Sequence, residues 1–539
     1  MPILRFWKKT ISKFEYFMFV ELARHFRATG APLPPSASKD PRTRLEQLAS
    51  SAEGVQFLRK RAASLRRGRA IGEDCALLAS IVEKLATGEE DSAASLREAI
   101  ELFDRAAKTA DDADDRDCWK QEAIRVRRQL AADDAAAAGN VKNPEVPREH
   151  EIERCDAATL SVSEFMRRFA VPRCPVVLTG LVKEIASPPL SLAAALAAMG
   201  ERSVPVKMHV PRSVRWARLE ECGTMRFDRL VQQRRRPRLG GGEATEPEPA
   251  AKRPRRNEKS AGASLDEESP CVVAESMYLH DFGLPLGAPE LLDGMTFAVP
   301  KFFAADYLQL AQRAASSSPA APPPVPDDEG GASSVSTVGA AAPSSSSFAS
   351  LLFADAWPSL FVGAKGTMSD VHIDSVGTHF WMALMEGSKR FTVWHPREVP
   401  HLKPRWWEGS LEPTFDVDLA ADAPLAASRW ATTLRAGELI FVPANAPHHA
   451  LNLTDSLAIS ANYIDSTNFE AAMAELEVVA LTSTRASELL ATLRGGAFQR
   501  ALAEREREWE RGGGGGSGKK SNVVAERAHV PWLRFKRGW

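Results

Sequence analysis

Residues 371–394 read VHIDSVGTHFWMALMEGSKRFTVW and determine the fold that the sequence predicts. Apolar, β-branched and aromatic residues form short runs here, and Gly377 and Gly387 separate the runs. Short runs of this composition, bounded by turn residues, predict β-strands. The same pattern extends from residue 348 to residue 468, which holds six of the chain's 12 Trp residues. Many short strands in succession predict a sandwich, barrel or jelly roll.

The stretch also contains an imidazole and a carboxylate two positions apart, His372 and Asp374. Side chains at i and i+2 of a strand lie on the same face, so these two groups are expected to converge. Together they would supply two members of a 2-His-1-carboxylate triad. Such a triad leaves positions open on an Fe(II) ion.

A second segment, residues 438–449 with the sequence ELIFVPANAPHH, supplies further imidazoles. A predicted strand ends near Pro443 and is followed by the adjacent pair His448 and His449. Neighbours on a strand face opposite sides, so only one of the pair is expected to join the first two groups. The 76 positions from His372 to His448 are too many for a local zinc motif and suit ligands from two strands of a jelly roll.

Lys389 lies in the last run of the first stretch. A lysine inside a barrel needs an anionic partner because an unpaired buried charge is costly. Lys389 could therefore hold the distal carboxylate of a dicarboxylate co-substrate, or it could be an exposed strand residue. The sequence alone leaves both interpretations open.

These segments resemble the JmjC-domain branch of the cupin-type Fe(II)/2-oxoglutarate-dependent dioxygenases. The likeness covers about residues 161–468 apart from two inserts, and it includes PVVLTG at 175–180 and MYLHDF at 277–282. The resemblance implies a mainly β catalytic core, a double-stranded β-helix (cupin or jelly roll) with flanking helices. An N-terminal all-α domain is predicted beside it.

The resemblance also implies roles for individual residues. The implied iron ligands, which are also the catalytic residues, are His372, Asp374 and His448. The residues implied to contact 2-oxoglutarate are Lys389, Ser369, Ser460 and Asn462. Two positions depart from the family pattern, with Met382 in place of an Asn near the co-substrate and Pro447 in place of a Trp before the metal histidine. Trp381 and Trp394 are expected in the core.

The implied activity is hydroxylation of a protein side chain, with Fe(II) and O2, coupled to decarboxylation of 2-oxoglutarate to succinate and CO2. JmjC-type lysine demethylation is the alternative within the family. The six Cys residues contain no C-x-x-C pair, so the usual zinc-based reader domains of histone-modifying members are not predicted. A non-catalytic cupin-like binding or scaffold protein and a zinc cupin isomerase are the alternatives from other classes.

Composition divides the chain into regions with different expected roles. The helical region is interpreted as a packing or dimerisation module, with substrate docking as the alternative. The predicted regions are a segment 1–40, a helical domain 41–135, a linker 136–160, a catalytic domain 161–468 with disordered inserts 232–270 and 314–347, C-terminal helices 469–511, and a Gly-rich linker with a basic tail 512–539.

Charge and hydropathy limit the partners and the location. The formal net charge is −1, so the chain is not a polycation, and no apolar run is long enough to predict a membrane span. The basic clusters 234–238 and 252–256 fit a bipartite nuclear signal, a solvated loop or a weak nucleic-acid contact. We expect a nuclear or cytoplasmic protein with a protein substrate, and a homodimer through the C-terminal helices. Organelle targeting by the first residues is the alternative.

Overall fold

The computed structural model describes residues 52–67, 72–86, 92–137, 149–234, 277–293, 296–317, 352–353, 356–417, 427–513 and 530–531. The predicted segment 1–40, most of both predicted inserts and most of the two basic clusters lie outside these residues. Within them, no helix has the length and apolar character needed to cross a membrane.

The N-terminal region is a bundle of helices: α1 (Ala52–Arg67), α2 (Glu73–Ala86), α3 (Ser92–Lys108) and α4 (Ala113–Ala137). Helix α3 shows why these segments pack together. Its residues Leu96, Ala99, Phe103 and Ala106 recur every three or four positions, so they share one face, and all four are buried. That face joins α2 and α4 in a core that includes Ile81 and Trp119.

The remaining helices flank the β-structure or follow it. They are α5 (Val162–Phe165), α6 (Val182–Ile185), α7 (Leu192–Met199), α8 (Phe227–Arg234), α9 (Leu284–Gly287), α10 (Pro289–Asp293), α11 (Tyr307–Ser317), α12 (Phe469–Ala480), α13 (Thr484–Arg494) and α14 (Gly496–Gly513).

The β-structure consists of short strands. They are β1 (Glu149–Glu151), β2 (Arg154–Asp156), β3 (Val176–Thr179), β4 (Ala186–Ser187), β5 (Ser203–His209), β6 (Leu219–Arg226), β7 (Met277–Gly283), β8 (Thr296–Val299), β9 (Ser359–Gly363), β10 (Met368–His372), β11 (His379–Glu386), β12 (Ser388–Trp394), β13 (Pro404–Arg405), β14 (Thr414–Phe415), β15 (Arg429–Arg435), β16 (Glu438–Val442), β17 (His448–Asn452), β18 (Ser456–Tyr463) and β19 (Val530–Pro531).

Two sheets build the catalytic domain, and the chain alternates between them. A five-stranded sheet has the order β1-β15-β12-β17-β10, and a nine-stranded sheet has the order β2-β3-β16-β11-β18-β9-β7-β5-β6. Strands β9 to β12 and β15 to β18 therefore switch sheet at every step. This alternation is the predicted double-stranded β-helix, and the fold class is confirmed.

Apolar side chains fill the space between the sheets and the space behind the larger sheet. Phe391, Val393, Ile440 and Val442 belong to the core between the sheets. Trp381 belongs to a second core, where its ring stacks on Phe303 with ring centroids 5.8 Å apart. Trp381 and Trp394 are at most 1% exposed, so their predicted place in the core is correct.

Several region boundaries differ from the prediction. The second half of the predicted linker 136–160 forms β1, paired with β15, and β2, paired with β3. Helices α8 and α11 extend to Arg234 and Ser317. The predicted starts of the two inserts, at residues 232 and 314, therefore lie inside helices. The C-terminal region contains three helices where two were predicted, because α12 ends at Ala480 and α13 starts at Thr484.

The helical bundle is attached to the catalytic domain through a buried ionic cluster. Arg125 on α4 is 1% exposed and binds both carboxylate oxygens of Glu83, at 2.7 and 2.5 Å, and one oxygen of Glu122 at 2.7 Å. The same guanidinium donates to the backbone oxygen of Trp406, while Glu122 accepts from the backbone N–H of Gly409. The cluster therefore holds residues 406–409 of the catalytic domain against the bundle.

Candidate metal centre

Two of the predicted ligands lie on neighbouring strands. Strand β10 pairs with β17 in antiparallel orientation, and His372 and His448 are directly opposite each other in this register. Their imidazole ring centroids are 4.2 Å apart. Opposite residues on antiparallel strands have Cα atoms only about 5 Å apart, so the backbone pairing itself brings the two rings together.

Asp374 completes the cluster from the residues that follow β10. Its Oδ1 lies 3.8 Å from His372 Nε2 and 4.0 Å from His448 Nε2. Its backbone is extended, so it continues the i, i+2 relation with His372 that the sequence predicts. Among the described residues, these three form the one group of at least three His, Cys, Asp or Glu side chains whose ligand atoms all lie within 4.8 Å of one another.

Hydrogen bonds orient each ligand. His372 Nδ1 donates to the backbone oxygen of Asp370 at 2.6 Å, and His448 Nδ1 donates to that of Ala446 at 3.1 Å. A carbonyl oxygen can only accept, so each Nδ1 carries the proton and each Nε2 has a free lone pair. Asn462 Nδ2 donates to Asp374 Oδ2 at 3.0 Å, which leaves Oδ1 directed at the two Nε2 atoms.

The pKa shifts of His372 and Asp374 bear on how the site binds a cation. Burial lowers the pKa of His372 well below its ordinary value, so its imidazole is neutral. Burial raises the pKa of the Asp374 carboxyl, and His448 and the Asn462 amide oppose that increase. Two imidazoles and one carboxylate, all buried or nearly so, are the donors that Fe(II) or another divalent transition metal binds.

The distances from Asp374 to the two histidines agree with a single ion. Transition-metal bonds to N and O are about 2.1 Å, so two ligand atoms of one ion can be no more than about 4.2 Å apart. The two His–Asp distances of 3.8 and 4.0 Å satisfy this limit. The residues present therefore fit a metal of this class.

The neighbouring imidazole of His449 faces away from the cluster, as expected for adjacent strand residues. Burial lowers its pKa to about 4, and it does not belong to the cavity lining, which includes His448. The structure thus identifies His448 as the member of the pair that lies beside His372 and Asp374.

A cavity that is partly open to solvent adjoins the three ligands. Much of its lining is aromatic, including Trp216, Tyr278, Phe353, Trp357, Phe361 and Phe380. Trp216 covers His372 in an edge-to-face arrangement, with ring centroids 4.5 Å apart, and its Nε1 donates to the backbone oxygen of Ile373 at 2.9 Å. The indole therefore shields one side of the cluster from water.

Lys389 is buried, so the interpretation as an exposed strand residue is wrong. Its side chain is 1% exposed, and its Nζ donates to the hydroxyl of Tyr278 at 3.1 Å and lies 5.3 Å from the centre of that ring. Tyr278 lines the cavity. A buried cation and a phenol hydroxyl beside a metal site can bind a carboxylate.

The other predicted co-substrate residues divide into two groups. Ser369 and Asn462 line the cavity, and Met382, which departs from the family pattern, lines it too. Ser460 does not belong to the lining. Its side chain is fully buried, and its hydroxyl forms a hydrogen bond with the hydroxyl of Ser359 at 3.0 Å. The structure therefore gives Ser460 a place inside the larger sheet, where the sequence predicted a pocket contact.

Sequence reasoning missed three residues of the site, namely Tyr278, His280 and Trp216. Tyr278 and His280 lie in MYLHDF, which was used for the resemblance and given no role. The signal available was their alternation on one strand, since positions i and i+2 share a face. Trp216 follows an irregular loop and had no comparable signal.

Comparison with known proteins agrees with this geometry. The cupin-like domain matches residues 162–469, which is more than half of the chain. The chain belongs to the cupin-like family of JmjC proteins. Its strands β9 to β18, with the three ligands, lie within the matched residues.

Curated relatives in this family match over shorter segments. Arginine-specific demethylase JMJ22 of Arabidopsis thaliana is 29% identical over 20% of this chain and 23% of its own length. The 2-oxoglutarate and iron-dependent oxygenase JMJD4 of Danio rerio is 26% identical over 22% of this chain and 28% of its length. The JMJD4 homolog of Drosophila melanogaster is 23% identical over 36% of this chain and 35% of its length. The chain thus spans about a quarter to a third of these relatives.

Proposed function

We propose that this cupin-like protein is an Fe(II)/2-oxoglutarate-dependent oxygenase that hydroxylates a protein side chain. The observation that carries the proposal is the combination of His372, Asp374 and His448 with a buried Lys389 whose Nζ contacts Tyr278 in the cavity wall. The lysine supplies a cation that can bind the carboxylate of a co-substrate. The JMJD4 relatives, which are named 2-oxoglutarate and iron-dependent oxygenases, support the same activity.

The chain's own residues divide the work in the proposed reaction. His372, Asp374 and His448 would hold Fe(II), which when bound activates O2 for oxidation of a C–H bond and decarboxylation of 2-oxoglutarate to succinate and CO2. Lys389 and the Tyr278 hydroxyl would bind the distal carboxylate of 2-oxoglutarate by charge-assisted hydrogen bonds. Asn462 holds the Asp374 carboxylate in place, and Trp216 excludes water from the His372 side.

The open end of the cavity suggests a basic substrate side chain. Asp281 lines the cavity and is exposed, and Trp216, Phe353 and Trp357 line it and are part-exposed. A carboxylate together with aromatic faces attracts a cation. Relatives named arginine-specific and lysine-specific demethylases are consistent with an Arg or Lys substrate.

Demethylation of an alkylated Lys or Arg is the second candidate, because those same names favour it. Both reactions place one oxygen atom on a C–H bond. They differ in the product, which keeps the oxygen in hydroxylation and loses formaldehyde in demethylation.

Succinate formation tests the proposal. Purified protein is incubated with Fe(II), 2-oxoglutarate, ascorbate and O2, beside a His372→Ala control. We expect succinate from the wild-type protein and none from the control. If neither protein forms succinate, and if Mn(II) with 2-oxoglutarate leaves the melting temperature unchanged, the non-catalytic scaffold becomes the better interpretation.

Peptides then identify the reaction. Mass spectrometry of unmodified and methylated Lys and Arg peptides distinguishes a gain of one oxygen from the loss of a methyl group. Asp281→Asn should reduce turnover of basic peptides and leave succinate formation without peptide unchanged. Equal turnover of basic and neutral peptides would contradict the assignment of a basic substrate.

A further inference from the structure

The cavity wall contains an irregularity in the pairing of β7 with β9. Leu279 pairs with Val362 and Phe282 pairs with Leu360, so His280 and Asp281 together lie opposite Phe361. Asp281 has a φ of +55°, a left-handed conformation that costs energy for a residue other than glycine. Both residues of this bulge line the cavity, whereas neighbours on a regular strand would face opposite sides.

His280 has the contacts of a buried polar residue. It is 5% exposed and packs in edge-to-face contact against Tyr278 and Phe361, with ring centroids 5.1 and 4.8 Å away. Its Nε2 lies 2.9 Å from the hydroxyl oxygen of Ser369, and its Nδ1 is buried with no hydrogen-bond partner in the structure. A phenylalanine would fill this aromatic environment without leaving a buried nitrogen, so packing alone does not explain the imidazole.

The number of protons in the His280–Ser369 pair determines whether the pair has a hydrogen-bond donor left for a ligand. A neutral imidazole carries one N–H proton, and serine carries one O–H proton. The 2.9 Å contact uses one of the two, so one remains. An unpartnered buried acceptor is commoner than an unpartnered buried donor, which favours the proton on Nε2 and the bare lone pair on Nδ1. His280 then donates to Ser369, and the Ser369 proton points away from the imidazole.

We propose that His280 is a positioning residue for the co-substrate, because it directs the Ser369 hydroxyl toward the carboxylate that Lys389 and Tyr278 bind. This inference rests on the proposed function for the identity of the ligand. His280 does not touch the carboxylate in this arrangement, and its effect is transmitted entirely through Ser369. The substitution His280→Phe should therefore leave a serine whose hydroxyl proton has no fixed direction.

A double-mutant cycle tests the inference through binding, without turnover. The probe is 2-oxoglutarate with Mn(II) under nitrogen, and the readout is the 2-oxoglutarate Kd from calorimetry and from the shift in melting temperature. Loss of one neutral hydrogen bond should weaken binding about three- to tenfold. We expect that loss in His280→Phe and in Ser369→Ala, with no further loss in the double variant, because the two residues act as one unit.

Two further variants control for folding and for unrelated effects. His280→Gln keeps an N–H donor near Ser369 and should retain most of the affinity for 2-oxoglutarate. This variant also keeps the inference testable if His280→Phe does not fold. Ser80→Ala changes a buried serine of the helical bundle, outside the cavity lining, and should leave the Kd unchanged.

Three outcomes would overturn the inference. They are an unchanged Kd in His280→Phe, equal losses in the Gln and Phe variants, and additive losses in the double variant. A wild-type protein that binds Mn(II) but not 2-oxoglutarate would overturn the proposed function itself, which distinguishes the two failures.

Discussion

Replacement of Lys389 by Met separates co-substrate binding from stability. Methionine has nearly the length of lysine without the charge, and the side chain at this position is 1% exposed. Burial of an ammonium group costs free energy, and a methionine of similar volume removes that cost. We therefore expect the melting temperature of the metal-free variant, without co-substrate, to stay unchanged or to rise.

Binding of 2-oxoglutarate should respond in the opposite direction. A hydrogen bond to a charged partner contributes about 1.5–3 kcal/mol, and each 1.4 kcal/mol corresponds to a tenfold change in affinity. Loss of the Lys389 ammonium should thus raise the 2-oxoglutarate Kd by about 10- to 150-fold. Tyr278 remains to hold part of the carboxylate, because its hydroxyl is protonated: burial raises its pKa above the ordinary value.

The assay is titration of the Mn(II) protein with 2-oxoglutarate under nitrogen, followed by calorimetry and by thermal melting. Lys389→Arg is the matched control that keeps a cation, although its larger head group must fit the same space. The melting temperature of Lys389→Met should fall further below that of the wild type with 2-oxoglutarate than without it. The opposite order would contradict the role of Lys389 in binding the carboxylate. A Kd within twofold of the wild-type value would show that Lys389 binds no carboxylate.

The remaining predictions concern the metal, the attachment of the helical bundle and pH. His372→Ala should abolish Mn(II) binding in calorimetry. His449→Gln should retain Mn(II) binding, because His449 lies on the opposite face of the strand from His448. Mn(II) binding by His372→Ala would contradict the assignment. Arg125→Met leaves the Glu83 and Glu122 carboxylates buried without their cation and should cost about 3–5 kcal/mol in urea denaturation. That cost should be smaller at pH 5 than at pH 8, because the stranded carboxylates can take up protons, and a cost independent of pH would refute this explanation. Burial raises the pKa of Asp306 to about 7. The folded state therefore binds more protons than the unfolded state between about pH 4 and 7, and stability falls as the pH rises through this range, by up to about 4 kcal/mol. Asp306→Asn keeps the Oδ1 acceptor for the Leu308 and Ile464 amides and should flatten the melting temperature against pH over that interval, and an unchanged slope would assign it to other groups.

The parts of the fold that the sequence predicted are those with strong local patterns. β11 contains the apolar run FWMALM and β12 contains the β-branched and aromatic run FTVW, so their strands were evident. Strands β1 and β2 were missed because EHE and RCD are short and polar. Their conformation depends on pairing with β15 and β3, which are distant in the sequence.

The candidate site shows the same division. The relation of His372 to Asp374 is local, and a two-residue spacing on an extended chain predicted it. The burial of Lys389 depends on contact with Tyr278, 111 positions earlier, so the sequence could not decide between a buried and an exposed lysine. The place of Asp281 beside His280 in the cavity lining depends on a bulge, which inserts a residue into the alternation and changes the side that later residues face.

The attachment of the helical bundle was beyond sequence reasoning for a further reason. Arg125 contacts the backbone of Trp406, 281 positions away, within a cluster of buried charges. Buried charges are rare, and their pairing follows from the three-dimensional packing of two regions. The sequence predicted a helical domain and left its interaction with the catalytic domain open.

The register that places His372 opposite His448 has a consequence for the handling of metal. The backbone hydrogen bonds of a sheet hold these two ligands, so the ligand set is preorganised before any ion arrives. Zinc fingers differ, because in them binding energy is spent on folding and chelators unfold the protein. Here a chelator should remove the ion from a protein that stays folded, and one divalent ion should exchange for another reversibly.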